Sequence, residues 1–184
     1  ADKKTIEALL LKHLPDYTVG DPTDPATRIG PVSSKAQFDK VTSYIKLGLQ
    51  EGATMLAGSV PQDLSKGYYV HPVIFTDVKN SMRIAREEIF GPVLCVITYK
   101  DIEEAIAIAN DTPYGLNAAV FGNKTEAIEV AKRIKAGNVY INDGPRDVTA
   151  PFGGYKQSGI GREGGYAGLL EFTQPKAIFD HCTF

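Results

Sequence analysis

The residues best suited to chemistry lie in one short run, Glu87-Glu88-Ile89-Phe90-Gly91-Pro92. A carboxylate just ahead of a Gly-Pro stop sits where a helical turn breaks into a loop, above the start of a strand. There it can accept two hydrogen bonds from the vicinal hydroxyls of a ribose. A neighbouring aromatic ring can pack near a nicotinamide. The plainer alternative is a pair of solvated glutamates at a helix end, since poised carboxylates are a minority. A second run, 151–165, reads P-F-G-G-Y-K-Q-S-G-I-G-R-E-G-G. Its stretch from Gly159 to Gly164 fits the letter of the G-x-G-x-x-G dinucleotide fingerprint. That fingerprint needs a buried strand directly before it, so that the loop opens at the carboxyl edge of a sheet. Residues 151–158 do not read as a buried strand, and the match is rejected.

Thiols and imidazoles offer less. Cys95 sits in Val93-Leu94-Cys95-Val96-Ile97, the middle of an apolar strand. A cysteine flanked by aliphatics behaves as a small hydrophobe, and burial raises its thiol pKa, so it does not read as a nucleophile. Cys182 is expected to be exposed. Two widely separated cysteines make no disulfide framework, and the expected compartment is the cytoplasm. His13, His71 and His181 have no ligand spacing, so no metal site is predicted.

The elements that must position these residues follow from spacing. Apolar residues at 6, 9, 10 and 14 predict a helix over 2–14. Residues 16–31 hold three prolines and read as a surface loop. Ser34 opens a second helix, with Gln37 completing a capping box and Phe38, Val41, Ile45 and Leu49 as its buried stripe; Gly52 ends it. A short strand follows over 53–57, then a polar turn over 60–67. Residues 68–78 are extended, and Pro72 argues for an edge position or a break. The later half alternates: a strand over 93–99, a helix capped by Asp101 with Glu104, and a strand over 116–121. A helix capped by Asn123 with Glu126 and a strand over 138–142 complete the pattern. Such alternation predicts βαβ crossovers and a parallel sheet, with both faces of its apolar strands covered. A short helix near 166–170 and a final strand near 173–179 close the chain.

Composition narrows the class. The chain has 184 residues, 43% of them hydrophobic and 23% charged, enough for one domain with a real core. A net charge of -2, from 20 basic and 22 acidic residues without a basic stripe, leaves no electrostatic footprint for nucleic acid. No apolar run approaches the roughly 18 residues of a membrane span. The first 15 residues read as an amphipathic helix, not a signal peptide.

Taken together, I-A-R-E-E-I-F-G-P-V at 84–93 and P-F-G-G-Y-K-Q-S-G-I-G-R-E-G-G at 151–165 resemble the C-terminal part of the catalytic domain of NAD(P)-dependent aldehyde dehydrogenases. So do Gly20-Asp21-Pro22 and Ile29-Gly30-Pro31. The resemblance implies an α/β fold, an open and mostly parallel sheet with helices on both faces. It implies a single, partial catalytic domain over 1–184, with 173–184 as a C-terminal strand or tail used in oligomerisation. It gives Glu88 the nicotinamide ribose and places Phe90 by the nicotinamide. Because open α/β sheets bind ligands at the carboxyl ends of their strands, the two are expected together near that edge. The resemblance reads 151–163 as a structural loop whose glycines permit positive φ and close backbone passage, with Phe152 packed against the inner sheet. It makes Arg146, Asp147 and Val148 part of the aldehyde tunnel, where Arg146 meets an acidic or polar substrate or is simply solvated.

In a complete enzyme of this family a cysteine thiolate attacks the aldehyde, NAD or NADP accepts the hydride, and a glutamate-activated water releases the acid. The family's G-Q-x-C and E-L-G-G-K-like strings do not occur here. The chain is therefore expected to carry no catalytic residue and to be inactive alone. It is also expected to be cytoplasmic, to bind neither nucleic acid nor membrane, and to self-associate through exposed apolar sheet surface or form a homo-oligomer. The alternative is a non-catalytic association module, or a truncated paralogue, that binds a full-length subunit or another protein.

Overall fold

The computed structural model describes residues 2–61, 65 and 67–181. The chain forms two compact units, Ala1–Tyr99 and Lys100–Phe184. Cys182 and four residues of the turn expected over 60–67 lie outside the described residues.

In the first unit, α1 (Lys3–His13) begins at Asp2, whose side chain accepts from the Thr5 amide, and none of its residues is buried. Helix α2 (Lys35–Gln50) begins at Ser34, whose Oγ accepts from the Gln37 amide at 3.2 Å. Its buried face is Phe38, Val41, Ile45 and Gly48. Spacing alone put Leu49 on that face, yet Leu49 is 44% exposed. A stripe running 38, 41, 45 drifts to 48 at 3.6 residues per turn. Gly48 also makes room for the core, since a Cβ there would lie 3.0 Å from the Phe75 ring.

Beneath α2 lies a mixed sheet in the order β1-β2-β3. Strand β1 (Thr54–Ala57) pairs antiparallel with β2 (Val73–Thr76), which pairs parallel with β3 (Val93–Cys95). All four residues of β2 are buried and the strand is central, so of the two readings of Pro72, edge position or break, the edge position is corrected and the break stands. The proline stands just before the strand, where its missing N–H removes no ladder bond; Val73 donates the first one, to the Pro92 carbonyl at 2.9 Å. The strand expected over 93–99 keeps its ladder only to Cys95, with one more bond from the Val96 amide to the Phe75 carbonyl at 2.8 Å. It stops because its partner stops at Thr76. Leu94 is exposed, so β3 is not covered on both faces as expected. A one-turn helix, α3 (Arg83–Arg86), links β2 to β3.

In the second unit, α4 (Ile102–Asn110) is capped by Asp101, which accepts from the Glu104 amide at 2.8 Å, while Glu104 accepts from the Lys100 amide at 2.8 Å. Strands β4 (Asn117–Val120) and β5 (Asn138–Ile141) pair in parallel, with α5 (Lys124–Ala131) crossing between them. This is the second of the two expected βαβ crossovers; the first does not form, since β3 and β4 belong to different sheets. Strand β4 alternates exposed and half-buried residues instead of being covered on both faces. The last helix among the described residues is α6 (Gly165–Leu170). Residues 173–181 form no strand, where one was expected over 173–179. An extended segment becomes a strand only when another backbone takes its hydrogen bonds, and none of the described residues pairs with it as a strand. Phe172, Ile178 and Phe179 are almost fully exposed.

Candidate functional site

The paired glutamates part company. Glu87 is tied down: Nε and Nη2 of Arg83 donate to its two oxygens at 2.8 and 2.9 Å, and the Tyr44 hydroxyl donates at 2.5 Å. Those bonds, Arg83 first, lower its pKa to about 2. Glu88, next in the chain, is exposed and makes no hydrogen bond or ion pair with any described residue. Two residues on, the Phe90 ring is 71% exposed.

Phe90 also has a φ of 52°, a left-handed conformation that a bulky side chain adopts at a cost of about 1–2 kcal/mol. Its surroundings supply the compensation. The Gln37 side-chain amide donates to the carbonyls of Ile89 at 2.9 Å and of Phe90 at 2.8 Å. Gly91 lies so close to α2 that a Cβ would stand 2.5 Å from Val41. The Lys40 ammonium stands 5.4 Å from the Phe90 ring centre and 5.9 Å from that of Tyr44, both within cation–π range. Ile89 is buried and anchors the turn. The turn precedes β3, so it stands at the amino ends of β2 and β3. This corrects the expectation of the carboxyl ends, because a segment that feeds a strand meets it at its start.

The other predicted residues lie in the second unit. Arg146 stacks its guanidinium 4.4 Å from the Phe152 ring centre. The Asp147 carboxylate accepts from the hydroxyl and amide of Thr149 at 2.7 and 2.8 Å, which lowers its pKa. Val148 is 78% exposed. The glycine-rich run that follows is a knot of close backbones. Phe152 and Glu163 form an antiparallel bridge, and the Arg162 guanidinium donates to the carbonyls of Gly154 and Gly161 at 3.0 and 2.8 Å. A Cβ on Gly137 would fall on the Gly153 carbonyl oxygen, and one on Gly165 on that of Thr149. A short 3-10 turn, Lys156–Ser158, precedes Gly159. The glycines serve close passage, as expected, and the fingerprint is absent in structure as well as in context.

Cys95 is half-buried, and burial, with the Glu51 charge adding, pushes its thiol up to about 11. Its Sγ donates to the Ile84 carbonyl at 3.4 Å. A thiol so protonated is a poor nucleophile at neutral pH. Among the described residues no group of three or more His, Cys, Asp or Glu could hold a metal ion, and no helix is long and apolar enough to cross a membrane. Sequence spacing missed Gln37, Lys40 and Tyr44, which reach the 83–90 segment from one side of α2. Their spacing, i, i+3 and i+7, was the available signal.

The α/β units and this turn define the class. The Aldehyde dehydrogenase family matches residues 3–178, and the chain belongs to that family. Aldehyde dehydrogenase C from Pseudomonas syringae, solved with NAD+ and octanal, superposes with a TM-score of 0.90 at 48% identity, covering 95% of this chain and 37% of that one. An aldehyde dehydrogenase from Mycobacterium tuberculosis, solved with NAD+, gives 0.87 at 44% identity over 93% of this chain and 36% of that one. A curated relative from Staphylococcus saprophyticus is 53% identical over 163 residues, 87% of this chain. The chain spans 34% of that relative's length.

Proposed function

We propose that this chain works as part of an NAD(P)-dependent aldehyde dehydrogenase that oxidises an aldehyde to a carboxylic acid, and that Glu88 and Phe90 are its contribution to the nicotinamide riboside. The single observation that carries this is the division of labour at 87–90. Glu87 is paired with Arg83 and Tyr44 within the fold, while Glu88 is exposed, with no partner among the described residues, beside an exposed ring held in a strained turn. Such strain persists where the surroundings over-determine it, commonly at ligand sites. A free carboxylate suits a ribose diol, and a flat exposed ring suits a flat heterocycle. When bound, the cofactor supplies two-electron acceptance. Glu88 and Phe90 orient; neither moves a proton. Cys95 does not attack, and the family's thiolate and general base are not supplied by the described residues, so this chain alone is inactive.

In a complete enzyme, Glu88→Gln should slow single-turnover NADH formation by roughly ten- to a hundredfold, because loss of orientation at a reacting carbon is felt mainly in rate. The dissociation constant for NAD+ should change by less than about threefold, since the rest of the cofactor's contacts remain. A variant that binds poorly but turns over normally once saturated would sink the assignment.

The loop bearing Arg146, Asp147 and Val148 fits the mouth of the aldehyde tunnel: it is exposed, and its guanidinium is held by a ring instead of a carboxylate. Association belongs to the same reading. An open apolar groove of about 520 Å³ separates α1 from the amino ends of β2 and β3, lined by Ile6, Leu9, Leu10, Ile74 and Leu94 among others. In the tail from Phe172, the rings of Phe172 and Phe179 and the side chain of Ile178 are exposed. Surfaces of this kind are covered in oligomers. Light scattering of this chain over a dilution series should show mass rising with concentration; a constant monomer mass would remove the proposal. The free Cys95 thiol fits the reducing cytoplasm.

A further inference from the structure

We infer that Gln37 is the positioning residue of this site: its side-chain amide fixes the left-handed turn that presents Glu88 and Phe90. The inference rests on the cofactor reading above only for its consequence in turnover. Gln37 occupies the third position of α2, where a capping box uses the side chain to satisfy the helix's own first amide. Here the box is only half made. Ser34 Oγ takes the Gln37 backbone amide, but the Gln37 side chain leaves the helix and donates to two consecutive carbonyls 52 and 53 residues away. Those carbonyls belong to Ile89 and Phe90, the residues that flank and contain the positive φ.

The chemistry of the contact is one-directional. An amide NH2 has two donors and can serve both carbonyls, whereas a carboxylate of the same shape has none and faces two lone-pair oxygens. Packing explains the need for the contact. Gly91 against Val41 brings the turn close to α2, and Pro92 follows at once, so the chain must reverse over very few bonds. Nothing within the turn bonds the Ile89 and Phe90 carbonyls; α2 does. The other two residues on that side of the helix act on the neighbours. Tyr44 holds Glu87, and Lys40 stands over the Phe90 ring. Gln37 alone grips the backbone.

The test uses Gln37→Glu and Gln37→Met in the complete protein, beside Glu88→Gln. Gln37→Glu is isosteric and keeps the backbone amide for Ser34, so it folds even if Gln37→Met does not. Crystal structures without cofactor give the first readout. Phe90 should leave the left-handed region in Gln37→Glu, with α2 and β2 unmoved; a φ near 52° retained in that variant overturns the inference. Single-turnover NADH formation gives the second. It should fall roughly tenfold in Gln37→Glu at saturating NAD+, since a displaced positioning contact reduces rate more than binding. Asparagine, which keeps the amide but is one methylene short, should recover part of the rate where glutamate does not; failure to exceed the glutamate variant counts against the amide's role. If the turn relaxes in Gln37→Glu while rates in both Gln37→Glu and Glu88→Gln stay at wild type, the positioning contact stands and the cofactor reading falls.

Discussion

Replacing Gly137 by alanine should destabilise the second unit by about 3–5 kcal/mol, at the far end of what a single methyl does in a packed site. Gly137 does not carry a positive φ, so alanine is acceptable to its own backbone. The obstacle is across space. Its amide donates to the Gly115 carbonyl at 3.0 Å, and the Tyr155 amide donates to that same carbonyl at 2.8 Å. Three backbone segments, the entrances to β4 and β5 and the glycine-rich loop, therefore meet at one oxygen. A Cβ on Gly137 would land on the Gly153 carbonyl, and one on Gly115 would stand 2.6 Å from the Lys135 carbonyl. Neither neighbour is the tip of a flexible side chain. The loop must lift away, and the shared acceptor loses a donor. Urea denaturation followed by circular dichroism measures the loss. Gly122→Ala is the internal control: a Cβ there meets nothing within 4 Å, and its effect should stay within about 0.5 kcal/mol. Equal effects at the two glycines would show that the close passage does not exist.

The second large effect belongs to Phe75. Its ring is 0% exposed, at the centre of β2, with β1 and β3 on either side and Gly48 of α2 against the ring. Phe75→Ala should cost about 3–5 kcal/mol, combining lost transfer energy with a cavity that so crowded a site cannot collapse. The same substitution at Phe121, which is 70% exposed, should cost less than about 0.5 kcal/mol. A Phe75→Ala loss under 1 kcal/mol in the same denaturation experiment would mean that the ring is not the keystone of the sheet.

Much of this was legible because local chemistry decides it. Ser34, Asp101 and Asn123 all cap the helices that their positions announced. A cap is a hydrogen bond to the chain's own next turn, so a few residues of sequence contain it. The rest depended on partners. Pro72 has one meaning inside a strand and another just before it, and only the position of the ladder distinguishes them. The segment over 173–179 reads as a strand, but among the described residues it has no neighbour to become one against. At the candidate site, E-E-I-F-G-P marked the place and its family resemblance named Glu88, yet the residues alone could not say which glutamate is free. That was decided by Arg83 and by Tyr44, 43 residues away from Glu87. Gln37 was legible only as half of a capping box; its second half is made with a segment brought close by folding.

The left-handed Phe90 bears on how this sequence responds to selection. A residue at φ 52° is more comfortably asparagine or glycine than phenylalanine. Variants screened only for survival of heating should therefore drift away from phenylalanine at 90. Variants screened for catalytic throughput should keep the ring and accept its strain, the usual opposition between robustness and activity. Position 90 is thus a place where the history of a lineage can be read: an aromatic there marks descent under demand for turnover, and its loss marks a chain kept for its shape.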